Sequence, residues 1–138
     1  MLRTGQLLMA QMDKAGVAEI EAAPALPGGR FAAEQARWSC THADVTAELA
    51  RRWQFPDALV AAFQAASDPL QAQPWNALGG VLQLAEALAD AAEGPLPPLE
   101  AVQTHHAALL ARLRLNPAWL AEHLVDPATL ADEAAMMR

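Results

Sequence analysis

The chain has 138 residues, of which 54% are hydrophobic and 18% are charged, and its nine basic and sixteen acidic residues give a net charge of −7. This composition excludes a disordered chain, and the length suits a single domain spanning residues 1–138. The acidic balance argues against binding of nucleic acid, and no apolar run approaches the ~18 residues of a membrane span. Cys40 is the single cysteine, and the opening residues lack the features of a signal peptide, so we expect a cytoplasmic protein.

Clusters of proline and glycine divide the chain into predicted helices. No segment shows the sustained period-2 alternation of a strand. The sequence therefore predicts an all-α fold, a compact bundle of roughly six to eight helices. The chain begins with an apolar segment, Leu2–Met12, and a short amphipathic piece, Val17–Ala22, and Pro24, Pro27, Gly28 and Gly29 form a connection. The predicted helices that follow are Arg30–Trp38, a helix after Thr41, a helix around Leu59–Phe63, Trp75–Ala91, Leu99–Leu115, a helix opened by Asn116-Pro117 and a final one opened by Asp126-Pro127.

The helix that follows Thr41 has the clearest local signals. Thr41 with Asp44 three positions later is typical of a capping box. Val45, Leu49 and Trp53 recur at i, i+4 and i+8, which predicts one apolar stripe facing the core. We therefore expect Trp53 to be buried between this helix and the next, which starts near Pro56.

The polar residues offer no recognisable catalytic or metal-binding motif, and we expect no cofactor. His105 and His106 are adjacent, so their side chains point about 100° apart on a helix and cannot chelate one metal ion. Glu122 and His123 are also adjacent, so they cannot chelate one metal ion either. Cys40 lies near His42, but such close sequence neighbours seldom form a nucleophile and base pair, so a packing role is favoured.

Trp75 and Trp119 stand at predicted helix starts, where each could be partly exposed. Exposed tryptophan is enriched at protein interfaces, although packing in the core is the more common role.

One stretch is more specific than a generic helix. Glu34 is followed eight residues later by His42 at the start of a helix, then by Leu49, Trp53 and Pro56. An Ala-rich apolar helix follows. This pattern resembles the HDOD domain, the non-hydrolytic relative of the HD phosphohydrolases. With weaker similarity at Val81–Leu88 and Leu113–Pro117, the resemblance covers most of residues 34–120.

The resemblance also implies which residues of this sequence stand at the metal-ligand positions of catalytic HD proteins. Gly5–Met9 is similar to the segment that follows their His-Asp pair, so that pair falls at Leu2-Arg3, and helices expected upstream are absent from this sequence. Ala66-Ser67 falls at a downstream His-His. These side chains cannot replace imidazole and carboxylate ligands. His42 remains, and beside Glu34 we expect it to form a buried hydrogen bond between helices instead of binding a metal ion.

The leading hypothesis is a non-enzymatic regulatory or interaction module of bacterial signalling, which binds other signalling proteins or domains and forms a homodimer. Trp75, Trp119 and Met136-Met137 could serve binding. One alternative is a metal-dependent phosphohydrolase that uses His42, Asp44 and Asp68.

Another alternative is a purely structural dimerisation unit. Leu7, Leu8 and Met12 form an apolar face on the first predicted helix, and such a face is commonly buried by self-association.

Overall fold

A computed structural model describes residues 1–23 and 28–125, together with residues 129 and 136. Within these residues the chain is all-helical and compact, as the sequence predicts. The helices are α1 (Thr4–Met12), α2 (Lys14–Ala22), α3 (Gly29–Trp38), α4 (His42–Arg52), α5 (Asp57–Ala65), α6 (Ala77–Ala92), α7 (Pro98–His105), α8 (Ala107–Leu113) and α9 (Pro117–His123). Pro24, Pro27 and the predicted helix start at Asp126-Pro127 lie outside the described residues. None of the described helices is long and apolar enough to cross a membrane.

The described residues hold nine helices, one more than the upper end of the predicted range. The difference comes from the segment predicted as one helix over Leu99–Leu115. It is interrupted at His106, whose φ of −125° and ψ of 27° are not helical. On either side of this interruption, α7 and α8 both pack against α6.

Side-chain caps fix several of the helix starts. The capping box at Thr41 and Asp44 is confirmed, because the Asp44 carboxylate accepts from the Thr41 backbone N–H at 2.8 Å and the Thr41 hydroxyl accepts from the Asp44 N–H. The Asn116 side chain accepts from the N–H of Ala118 at 2.8 Å, which confirms the predicted start of α9. Asn76 caps α6 in the same way, so α6 begins at Ala77 and not at Trp75.

The apolar residues form two clusters, one on each side of α6. The first cluster lies among α1, α3, α4 and α5, and the second lies among α6, α7, α8 and α9. Leu82 of α6 packs against the first cluster, and Leu84 belongs to the second. The first consists of Leu2, Phe31, Ala43, Ala47, Ala50, Val60, Phe63 and Ala66, and the second of Leu84, Ala87, Val102, Leu109, Leu110 and Leu120.

Helices α1 and α4 approach very closely at Gly5. A Cβ atom at this position would lie 2.1 Å from the backbone oxygen of His42, so only glycine fits. Thr46 joins the two helices on the same side, because its hydroxyl donates to the Leu2 carbonyl at 2.6 Å and accepts from the Gly5 N–H at 2.9 Å. The close approach sets the position of Leu2 and Arg3 relative to α4.

The predicted core position of Trp53 is wrong. Its side chain is 55% exposed, and Val45 and Leu49 are only half-buried. Apart from His42 at its first position, the buried residues of α4 are small, namely Ala43, Thr46, Ala47 and Ala50. These lie about 130° around the helix from Val45 and Leu49. Small side chains allow α1 and α5 to pack near the α4 axis, so the larger apolar residues are left toward the surface.

The two tryptophans at predicted helix starts differ in exposure. Trp75 is half-buried against the second cluster, and the Arg112 guanidinium lies over its ring at 5.1 Å from the centroid. Trp119 is 50% exposed and stacks on His123 with ring centroids 4.2 Å apart. Trp119 is therefore the more accessible of the two.

Candidate functional site

Glu34 and His42 meet across the turn between α3 and α4. The chain reverses at Ser39, which adopts a left-handed conformation with φ of 57°, and His42 follows as the first residue of α4. The Glu34 carboxylate then faces the start of α4. It accepts from the His42 backbone N–H at 2.8 Å and lies 2.7 Å from the ring nitrogen Nδ1. One carboxylate thus binds both an unpaired helix N–H and the imidazole of the same residue.

A second carboxylate reaches the other side of the imidazole. Glu86 of α6 places Oε1 2.8 Å from Nε2 of His42. The side chains of both glutamates are almost entirely buried, and the side chain of His42 is completely buried. Since α6 carries residues of the second apolar cluster, the contact between His42 and Glu86 joins the two halves of the bundle.

The two carboxylates stabilise the protonated form of His42. Burial lowers the pKa of His42, but the hydrogen bonds to Glu34 and Glu86 and the charges of these residues outweigh burial and raise the pKa from 6.5 to about 9. Both ring nitrogens face acceptor oxygens, which only an imidazolium can satisfy with two N–H donors. His42 is therefore a buried cation at neutral pH.

Arg3 and Gln6 extend this network toward the surface. The Arg3 Nε lies 3.7 Å from Glu86 Oε1, and its guanidinium also pairs with Asp90. The Gln6 side-chain amide donates to Glu86 Oε1 at 3.4 Å. Two cations, His42 and Arg3, thus lie among three carboxylates, those of Glu34, Glu86 and Asp90. The term ion network is used below for Arg3, Glu34, His42 and Glu86.

A family model described as the HDOD domain matches residues 1–69, which is half of the sequence. The chain belongs to the HDOD family. The HDOD match spans α1 to α5 and contains all five residues of the predicted motif: Glu34, His42, Leu49, Trp53 and Pro56. The weaker similarities at Val81–Leu88 and Leu113–Pro117 lie outside it, as does Glu86. No curated protein and no solved structure was found to match the chain.

The HDOD motif residues do not form one cluster. Glu34 and His42 are in contact, whereas Leu49 is half-buried on the outer side of α4 and Trp53 is exposed after its end. Pro56 is the residue that precedes α5, close to its predicted place in the first turn.

The residues of the alternative metal site are not brought together. The Asp44 carboxylate is used in the capping box, and Asp68 is exposed in the connection between α5 and α6. Among the described residues, no group of three histidine, cysteine, aspartate or glutamate side chains is arranged to hold a metal ion.

The other candidate side chains have separate surroundings. Burial lowers the pKa of His106, with a smaller effect of His105 in the same direction, which favours a neutral ring. Burial raises the pKa of the Cys40 thiol, and nearby acidic residues act in the same direction, so the thiolate is disfavoured. Neither group therefore has the electrostatic surroundings of a reactive centre.

Proposed function

We propose that this HDOD chain is a non-enzymatic module that acts by contact with other bacterial signalling proteins or domains. The observation that supports this most strongly is the state of His42. Both ring nitrogens lie within 2.8 Å of a carboxylate oxygen, and the side chain has no exposed surface. A metal ligand needs a free ring nitrogen, and a general base needs access to a substrate. His42 offers neither.

The positions that the family resemblance aligns with metal ligands support the same proposal. Leu2 and Ala66 are buried in the first apolar cluster. Arg3 is a cation held beside Glu86, where its positive charge would repel a divalent metal ion. In the ion network, the side chains of His42 and Arg3 therefore supply the positive charge that a metal ion would otherwise supply.

Exposed apolar side chains provide surfaces for contact. Leu7 and Met12 of α1, Trp119 of α9 and Met136 are all exposed. Met137 lies outside the described residues. Large exposed apolar groups of this kind are common where one protein binds another.

The test is the metal content and hydrolase activity of the full chain purified without chelator. We expect no stoichiometric manganese, iron or zinc, and no metal-stimulated hydrolysis of a phosphomonoester or phosphodiester probe. Asp68→Asn is a matched control, because Asp68 belongs to the alternative metal site but has no part in the ion network. Stoichiometric metal that Asp68→Asn removes, or hydrolysis that it abolishes, would instead support the metal-dependent phosphohydrolase.

A further inference from the structure

A groove of about 540 Å³ runs between α1 and α4. Leu8 and Met12 line it from α1, and Val45 and Leu49 line it from α4. Met12 is 89% exposed, and the other three side chains are half-buried. Val45 and Leu49, two members of the apolar stripe that was expected to face the core, therefore face this groove, whereas Trp53 lies beyond its lining. No described residue covers the groove.

We propose that a second copy of this chain occupies the groove, with the two α4 helices packed antiparallel about a two-fold axis near Leu49. This inference deepens the proposed function, since it names one partner of a module that acts by contact. The occupant is identified by two features of α4, its apolar spacing and its charges.

The apolar spacing of α4 is symmetric about Leu49. Val45 lies four residues before it and Trp53 four residues after it. In an antiparallel pair with a two-fold axis at Leu49, Leu49 meets the partner's Leu49 once, on the axis, and Val45 meets the partner's Trp53 twice, once on each side of the axis. Burial of the half-exposed tryptophan against valine would give the interface a large aromatic anchor.

The charges beside this stripe are also self-complementary. Glu48 and Arg52 flank the groove and pair within one chain at 3.0 Å. In the antiparallel arrangement, Glu48 lies two residues, or about 3 Å along the axis, from the partner's Arg52. An arginine side chain spans that offset, so the intrachain pair can extend into a four-charge arrangement across the two-fold axis. A partner with a uniformly charged surface would gain no such match.

The test is sedimentation equilibrium of the full chain from low to high micromolar concentration. We expect a reversible monomer–dimer equilibrium. Leu49→Glu should raise the dissociation constant at least about 30-fold, the effect of losing a central interface residue. Val81→Glu is the control: Val81 is 46% exposed on α6 and away from the groove, so this variant should dimerise like the wild type. Circular dichroism of both variants shows whether the helices are retained.

A charge exchange tests the register and does not depend on the apolar substitution. Arg52→Glu should weaken the dimer, because it places Glu48 and residue 52 of both copies in repulsion. Glu48 also pairs with Arg51, so adding both Glu48→Arg and Arg51→Glu to the same chain restores opposite charges within and between copies. Dimerisation should then return toward the wild-type level. A wild-type chain that stays monomeric at high micromolar concentration, an unchanged dimer in Leu49→Glu, or an exchange that fails to restore association would overturn the proposal. A monomeric, metal-free chain would leave the proposed function standing, whereas stoichiometric metal would overturn that function without affecting the dimer.

Discussion

Replacing His42 by alanine is expected to lower the free energy of unfolding by about 3–5 kcal/mol, the usual cost of removing one partner from a buried ion pair. The substitution leaves the Glu34 and Glu86 carboxylates buried without the cation that lies between them. It also removes the ring that stacks on Phe31 with centroids 4.6 Å apart. Urea denaturation followed by circular dichroism at neutral pH measures the change.

A matched control is available on α7. His105 is exposed, so His105→Ala should change the free energy of unfolding by less than about 0.5 kcal/mol, as for an ordinary surface substitution. Equal destabilisation by the two substitutions would show that His42 makes no special contribution. The slope of the unfolding free energy against urea concentration should be similar in the wild type and in both variants, because this slope reports how much surface is exposed on unfolding.

The stability of the protein should fall as the pH rises from about 6.5 to about 9. The pKa of His42 is about 9 in the folded chain, whereas the ordinary value of a histidine, which applies to the unfolded chain, is 6.5. The folded state therefore binds the proton more tightly, so the contribution of His42 is fully present below pH 6.5 and is lost as the pH passes through the folded value. The difference in pKa corresponds to about 3 kcal/mol over this interval.

The measurement is the free energy of unfolding of the wild type and of His42→Gln across this pH interval. The wild-type curve should descend toward the His42→Gln curve as the pH rises, so that the difference between them narrows. The lowered pKa of His106 gives an effect of the opposite sign, but it lies below pH 6.5 and is common to both proteins. A constant difference between the two curves would mean that His42 has the same pKa in the folded and unfolded states.

Local sequence signals were sufficient for the helices but not for their orientation. Thr41 and Asn116 fix helix starts through contacts with residues two or three positions away, so they can be identified without the tertiary structure. The face of α4 that becomes buried depends on the helices that pack against it. The face with alanine and threonine allows neighbouring helices to pack more closely than the face with Val45, Leu49 and Trp53. The hydrophobic pattern alone does not indicate which of the two faces is buried.

The site could be predicted only in part for a similar reason. Glu34 and His42 are eight residues apart and joined by one turn, so their contact was foreseen. Glu86 was missed, because it lies 44 residues beyond His42 in sequence and meets it only through the packing of α6. The available signal was a glutamate four residues after Leu82 on the face of α6 that packs inward. A charged residue at such a position indicates a buried partner elsewhere in the chain.

The most direct test of the central claim is the protonation state of His42, read from the ¹⁵N chemical shifts of its imidazole ring near pH 8. Ordinary exposed histidines are neutral at this pH. For His42 we expect both ring nitrogens to carry protons and the spectrum to stay unchanged when zinc or manganese is added, because both nitrogens are held by Glu34 and Glu86. A neutral ring at pH 8, or a ring nitrogen that shifts or broadens on binding one equivalent of metal, would contradict the structural role of the ion network.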